Sequence, residues 1–373
     1  MTKLGDVLTI SANKSTHISD KNWLLNLDMV QQQTGKILAY NYVTTNELCG
    51  SIIGFDNNVV LYSKLRPNLN KVVLPDKYGF CTSELLPLLP DSKQLNREYL
   101  AWFLRSDSFV NWAVTKTAGA KMPRLGTKEL LSKEIPLPEL STQRRIADTL
   151  DKVSEGIEVC RRMLGELDLM VKAKFVEMFG EPIANTHSLP LIPLSEIGNW
   201  SSGGTPSRST PAYFEGNIDW YSAGELNTLY LEGSIEKITQ DALENSAAKL
   251  FSAGSMLVGM YDTAALKMGI LKRSSASNQA CACIEPNDNI DIVWLYHVLQ
   301  IMKPHFLEQR RGIRQKNLNL GMIKSFQVPY APKSEQKLFA SFVTKIDKSK
   351  LTIQGIRDKM ETEKLALMQG YFG

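Results

Sequence analysis

The sequence predicts an α+β protein. It would have two mixed α/β units related by a pseudo-twofold axis and separated by two long antiparallel helices forming a coiled-coil spacer. Three observations carry this. The first is an internal repeat: residues 119–180, moved forward 193 positions, fall on residues 312–373 without a gap, with eleven of the 62 aligned residues identical. Random matching would give roughly four, from typical residue frequencies. The identities include Gly119/Gly312, Leu125/Leu318, Pro136/Pro329, Ser141/Ser334, Gln143/Gln336 and Phe179/Phe372. A period of about half the chain marks a duplication, not a solenoid. The second is a heptad seam in each copy, and the third is the lack of strict βαβ alternation elsewhere.

The seam defines the helices. In copy one, Ile146, Leu150, Val153, Ile157, Cys160, Leu164, Leu167, Val171 and Met178 step by four and three, with Lys174 in one slot. In copy two, Phe339, Ile346, Ile353, Met360 and Leu367 fall seven apart, while Lys350, Arg357 and Lys364 break the alternate seam. Such a period predicts packing against another helix. About 38 residues make a rod of ~57 Å, longer than a small domain needs for cover. Ser141 is the expected N-cap of the first helix, and Gly180 its stop. The expected organisation is a first globular unit over 1–140, a central helix over 141–180, a linker and second unit over 181–333, and a C-terminal helix over 334–373.

Before the first helix, strands are expected at Lys36–Tyr42, Val59–Tyr62 and Lys71–Leu74, then one amphipathic helix over Asn96–Val114 with Tyr99, Leu100, Phe103 and Val110 inward. Between the strands, Lys64, Arg66, Asn68 and Lys71 crowd a proline-bearing loop. Cations with amides suit phosphate and base contacts. Lys121 and Arg124 follow on a Gly-containing loop. Its repeat counterpart is richer: Arg310, Arg311, Arg314, Gln315, Lys316, Asn317 and Asn319 lie within ten residues around Gly312. Arg can fork onto guanine, and Asn or Gln onto adenine.

The prolines and polar residues of 181–190 end the helix, and the pattern restarts. Leu194-Ser195-Glu196-Ile197 echoes Leu4-Gly5-Asp6-Val7, and the segment at Trp220 is placed like that at Trp23. Gly203, Thr205 and Arg208 lie in a Ser/Gly run with the makings of an anion nest, though the ending of a P-loop is missing. Strands are expected over 250–285, with Lys267 a further cationic candidate, and a helix over Ile292–Leu307.

Composition limits the classes. Hydrophobic residues make up 43% and charged residues 22%, as in an ordinary soluble protein. The net charge of +4 and pI near 8.6 are compatible with nucleic acid without requiring it. No apolar run reaches the ~18 residues of a membrane span, and the N-terminus lacks signal-peptide character. Five cysteines at unrelated spacings fit a reducing cytoplasm. Walker A, dinucleotide, amino-methyltransferase, nuclease and metal-binding patterns are all missing, and the four histidines have no ligand spacing. A binding protein is therefore expected rather than an enzyme. The rivals are a self-contained DNA methyltransferase or nuclease with unrecognised motifs, and a coiled-coil assembly protein that does not touch DNA.

The run Ile135-Pro136-Leu137-Pro138-Glu139-Leu140-Ser141-Thr142-Gln143-Arg144-Arg145-Ile146-Ala147, with the helix ending Phe175 to Pro182, resembles the specificity (S) subunit of Type I restriction-modification systems. Ser202 to Ser207, Ile218-Asp219-Trp220 and Asn278-Gln279-Ala280 are similar to that family's recognition domains. The resemblance covers essentially the whole chain. It implies two target recognition domains, each reading one half of an asymmetric bipartite site in double-stranded DNA. It implies helices that set the gap and dock two methyltransferase (M) subunits, joined by restriction (R) subunits. No cofactor is expected in this chain; S-adenosylmethionine, ATP and Mg would sit on those partners.

Overall fold

The computed structural model describes residues 1–11, 20–48, 51–119, 121–309 and 317–373. In chain order the first half carries β1 (Thr2–Lys3), α1 (Leu4–Val7), β2 (Leu8–Ile10), β3 (Asn22–Leu25), β4 (Asn41–Val43), β5 (Ile52–Phe55), β6 (Val60–Ser63), β7 (Val72–Val73), β8 (Gly79–Thr82) and β9 (Leu85–Pro90). Next come α2 (Arg97–Arg105), α3 (Asp107–Thr115), β10 (Thr117–Ala118), β11 (Arg124–Leu125), α4 (Thr127–Ser132), β12 (Glu134–Ile135) and the long α5 (Leu140–Phe179). The second half carries β13 (Leu191–Pro193), β14 (Gly198–Ser202), β15 (Ile218–Tyr221), β16 (Tyr230–Leu231), β17 (Glu236–Ile238), α6 (Gln240–Glu244), β18 (Leu250–Phe251), β19 (Met256–Gly259), β20 (Met268–Leu271), β21 (Ser275–Ser277) and β22 (Cys281–Pro286). It closes with α7 (Ile292–Glu308), α8 (Leu320–Ser325), β23 (Gln327–Pro329) and α9 (Lys333–Phe372).

Two compact units result: Met1–Arg161 with Gln354–Gly373, and Arg162–Ile353. Each holds two main sheets in the same strand order. The first unit has β2-β9-β6-β7 and β4-β3-β8-β5; the second has β14-β22-β19-β20, extended by β16, and β17-β15-β21-β18. In both, one central pair is parallel, β3 with β8 and β15 with β21. Leu4 and Leu194 also match, each donating its N–H to a carbonyl before the proline strand, at Lys133 and Phe326.

The core of each unit is layered. In the first, Leu25, Phe55, Leu61 and Cys81 fill the space between sheets, and Leu100, Phe103 and Phe109 cover the other face of β6 and β9. In the second, Tyr221, Phe251 and Leu257 lie between sheets, and Trp294, Leu295 and Val298 cover the outer face. The expected single helix over Asn96–Val114 is instead α2 and α3. Ser106 ends the first and caps the second, its hydroxyl accepting from Phe109 N at 3.2 Å. The break turns Phe109 inward, fully buried, and leaves Val110 half-buried. Residues 36–42 form only a bridge at Ile37 and the start of β4.

Both long helices span 40 residues and are displaced by the repeat period of 193, as are α4 and α8. Ser141 does not cap α5, which begins one residue earlier with Glu139 O accepting from Thr142 N and Gln143 N. The Ser-x-Gln step is explained by its glutamine. Gln143 is fully buried; its Oε1 accepts from Asn96 N at 2.8 Å, and its Nε2 donates to Gln94 O and Pro138 O, each at 2.8 Å. Gln336 repeats this with Asp291 N, Asn289 O and Ala331 O at 2.7, 3.3 and 2.8 Å. One amide thus satisfies three backbone groups that would each be costly to bury unpaired.

The helices run antiparallel within each unit. In the first, Met360 packs against Gly156, Arg161 pairs with Glu361 at 3.0 Å, and Phe372 buries itself among Tyr99, Phe103, Ile146 and Leu150. In the second, Phe175 and Phe179 meet Phe339, and Lys350 pairs with Asp168. Ile146, Leu150, Ile157, Cys160, Val171 and Phe339 are buried; Val153, Leu164, Leu167, Ile346, Ile353, Met360 and Leu367 are half-buried. The seam departs from its predicted course after Val171. Phe175 and Phe179 take the buried positions, not Lys174 and Met178. A straight helix drifts by roughly 20° per heptad, which moves the stripe on by a residue. Gly180 ends α5 at φ +75°, the left-handed stop expected of it.

The match of Trp220 to Trp23 was one residue out. Strand pairing aligns Leu24 with Trp220 and Leu25 with Tyr221, through Phe80 and Cys81 in one unit and Ala276 and Ser277 in the other. A one-residue slip exchanges the faces of a strand. Trp23 therefore lies in the layer between sheets, whereas Trp220 lies with Ile238, Ala242 and Ala276 in a separate cluster.

Candidate nucleic-acid interface

In the first unit, two loops distant in sequence join. Lys64 O accepts from Leu125 N at 2.9 Å, Arg66 N donates to Pro123 O at 2.8 Å, and Leu65 bridges to Arg124. Lys64, Arg66, Asn68, Lys121 and Arg124 therefore share one surface, with Arg66, Asn68 and Lys121 exposed and Lys64 half-buried. Arg124 is committed to Glu84, which the sequence reading missed. The two form a forked pair with Nη2 to Oε1 at 3.0 Å, and this hydrogen-bonded ion pair raises the arginine pKa. Lys71 turns the other way. Its ammonium donates to Leu27 O, and burial lowers its pKa despite the nearby Asp28.

The second unit builds the same corner. Met260 O accepts from Leu318 N at 2.8 Å, and Asp262 N donates to Asn317 Oδ1 at 2.9 Å. Asn317 thus spends its side-chain oxygen on the loop. Asn319 caps α8, accepting from Met322 N at 2.9 Å. Both amides hold the corner in shape, where a base contact was expected. Lys267 is half-buried and reaches Gly224 O at 3.4 Å, as Lys71 reaches Leu27 O. Arg310, Arg311, Arg314, Gln315 and Lys316 lie outside the described residues.

Gly203 and Gly204 do not form the expected anion nest. Their N–H groups donate to Cys281 O and Ser277 O at 3.1 and 2.9 Å, and a Cβ on Gly203 would stand 2.3 Å from Ser277 O. The glycines permit close backbone approach. Thr205 hydrogen-bonds Gln279. Arg208 stacks 4.1 Å from the centroid of Phe214 and forks onto Glu236, which raises its pKa. Burial pushes the Cys281 thiol up to about 12, so this cysteine is no nucleophile at neutral pH. Among the described residues no group of His, Cys, Asp and Glu could hold a metal ion, and no helix is long and apolar enough to cross a membrane.

Fold and surface together define a duplicated scaffold: two units of one topology, each presenting a joined pair of loops. The chain belongs to the family described as the Type I restriction modification DNA specificity domain, whose model matches residues 1–167 and 191–362. It is 26% identical over 160 residues to the EcoR124I/EcoR124II specificity subunit of Escherichia coli, covering 41% of this chain and 40% of that one. It is 24% identical over 162 residues to the MjaIX specificity subunit of Methanocaldococcus jannaschii, covering 41% and 37%. The matches thus span about 40% of the length of these relatives. The fold is that of the Type I S subunit from M. genitalium, at TM-score 0.65 and 15% identity over 100% of this chain and 95% of that one. A chain from a solved type I R-M system agrees, at TM-score 0.59 and 17% identity over 100% and 96%.

Proposed function

We propose that this chain is the non-catalytic, sequence-reading subunit of a Type I restriction-modification assembly. Each unit reads one half of an asymmetric, bipartite site in double-stranded DNA. The long helices set the gap and dock two methyltransferase subunits, to which restriction subunits are added. S-adenosylmethionine, ATP and Mg belong to those partners. One observation carries the reading: a single topology is present twice, with different side chains at its matching loop tips. Two unlike readers in one chain multiply discrimination, at ~1–3 kcal/mol per mismatched base pair.

The test is to map methylated adenines in the host genome with and without this gene. Loss of one bipartite motif on deletion is the expected result. An unchanged methylation map in a host whose partner subunits are expressed would count against the reading.

A further inference from the structure

Displaced by 196 positions, β3 falls on β15, β6 on β19, β7 on the start of β20 and β9 on β22. The joined corner is common to both units, and its tips, Arg66 and Asp262, both lie in the left-handed region, at φ +50° and +46°. One stretch beside the corner differs. In the second unit, residues 227–232 include β16, which pairs in parallel with β20 through Tyr230 and Ile270. The matching residues 31–36 of the first unit make no strand. Gln31-Gln32-Gln33-Thr34-Gly35-Lys36 instead closes into a tight turn against β7 and the loop before it.

The turn is locked from within and from without. Gln31 N donates to Lys36 O at 2.9 Å, and Gly35 N to Gln31 O at 3.1 Å. The Thr34 hydroxyl donates to Gln31 Oε1 at 2.8 Å and accepts from Lys36 N at 3.2 Å. Gln33 N donates to Leu69 O and Gln33 Nε2 to Asn68 O, both at 3.1 Å, which fastens the turn to the loop of Arg66. That loop is closed by Leu69 N on Arg66 O at 2.9 Å. Gln33 is left-handed at φ +65°, and so is Gly35 at +68°, where a Cβ would stand 1.6 Å from Val72 O. Non-glycine residues rarely adopt this conformation, and such strain persists only where the surroundings impose it. Two of the three glutamines therefore build the turn. Gln32, between them, is exposed, and its amide has no partner among the described residues. The Arg66 guanidinium is exposed and unpartnered in the same sense.

We infer that Gln32 and Arg66 are specificity-determining residues of the first unit and read two bases of one half-site. The Gln32 amide offers a donor and an acceptor side by side, matching N7 and the N6 amino group of adenine. The Arg66 guanidinium matches the paired acceptors O6 and N7 of guanine. A neutral amide gains nothing from the charge of the phosphates, so its use lies in hydrogen bonds to base edges. Both side chains stand on backbone fixed before DNA arrives, which lowers the ordering cost of recognition. The second unit lacks this reader: Thr228, at the matching position, spends its hydroxyl on Tyr230 O at 2.7 Å. The inference rests on the DNA-reading function proposed above.

The experiment is selection of duplexes from a random library by the purified full chain, followed by competition binding and a salt titration. Gln32→Ala removes only an exposed side chain, and Arg66→Asn suits the left-handed backbone, so thermal melting should not change. Gln32→Ala is expected to lower the preference for adenine at one position, and Arg66→Asn that for guanine at another, each by roughly 5-fold to 150-fold. Both positions should fall in the same half-site, with the other half-site intact. Unchanged preference in Gln32→Ala would overturn the reading role of the turn. A uniform loss of affinity in Arg66→Asn, with a shallower salt dependence, would make Arg66 a phosphate anchor and overturn its assignment. Effects in opposite half-sites would overturn the shared surface. A wild-type chain that selects no sequence overturns the DNA reading itself, and this inference with it.

Discussion

Trp23 in the first unit and Asp219 in the second stand at the same point of the same strand, and Lys77 and Arg273 each stand two residues before a matching strand, β8 or β21. In the first unit the lysine lies 4.0 Å from the centroid of Tyr40 and 5.5 Å from that of Trp23, and donates to Tyr42 OH at 2.8 Å. In the second the arginine bonds a buried carboxylate, Asp219, which also accepts from Ser234 and lies 4.0 Å from Lys237. An aromatic seat and a carboxylate seat hold a cation at one place. A second matched pair lies on the helices. Trp102 and His297 each stand six residues after a helix cap, Asn96 or Asp291. Trp102 donates to Asp151 at 2.9 Å, whereas the His297 Nε2 is sealed from solvent with no hydrogen-bond partner among the described residues. The difference teaches that the duplicated frame fixes where a side chain stands and leaves its chemistry free.

If the units are energetically separate, the largest effects should stay on their own side. Phe175→Ala should destabilise the second unit by about 3–5 kcal/mol and Phe372→Ala the first by a similar amount, as for other buried phenylalanines. Hydrogen exchange resolved by segment measures both; equal deprotection of both units by either variant would break the comparison. The glutamine clamps come next. Gln143→Leu strands Asn96 N–H and two carbonyls and should cost about 3 kcal/mol in the first unit, with Gln336→Leu matching it in the second. A difference above 2 kcal/mol between the two would show that the clamps are not equivalent.

Acid should then separate the units. Burial, aided by Lys350 and opposed by Asp168, depresses the His297 pKa to about 4. The unfolded value is about 6.5, so the unfolded chain takes up this proton first. The stability linked to His297 is complete above about pH 6.5 and is lost as pH falls towards about 4. That amounts to about 2 kcal/mol, discounted because one edge of the ring is open. Asp347, whose pKa burial raises, acts in the opposite sense. Trp102 gives the first unit no such loss. His297→Gln should remove the difference between the two units' pH profiles over that range; persistence of the difference would place its origin elsewhere. The smallest effect expected is from Asn319→Ala, which should cost about 1 kcal/mol as a lost cap and leave DNA affinity unchanged. Weakened DNA binding at unchanged stability would return Asn319 to the interface.

The sequence by itself determined the duplication, the long helices to within a residue or two, and most of their seam. Apolar side chains recurring every three or four residues leave a helix one favourable face. It also marked Gln143 and Gln336 without revealing their use, because the groups they satisfy, at Asn96 and Asp291, lie far back in the chain. The strand regions were illegible as a repeat. Over residues 60–90 the displacement of 196 leaves only Leu61, Lys71 and Pro90 identical to their counterparts. Strand pairing is made by backbone groups that every residue but proline carries, so topology survives when side chains do not. The tertiary structure alone therefore decided the register of Trp23 against Asp219, and which cations of the two loops reach solvent. It tied Lys71 to Leu27 O and Asn317 to Asp262 N as struts, and left Asn319 exposed as the cap of α8, since an unpaired carbonyl or N–H costs more than a surface charge gains. It also set Arg66 and Asp262 on matching left-handed tips, a conformation imposed by neighbouring loops and absent from any local pattern.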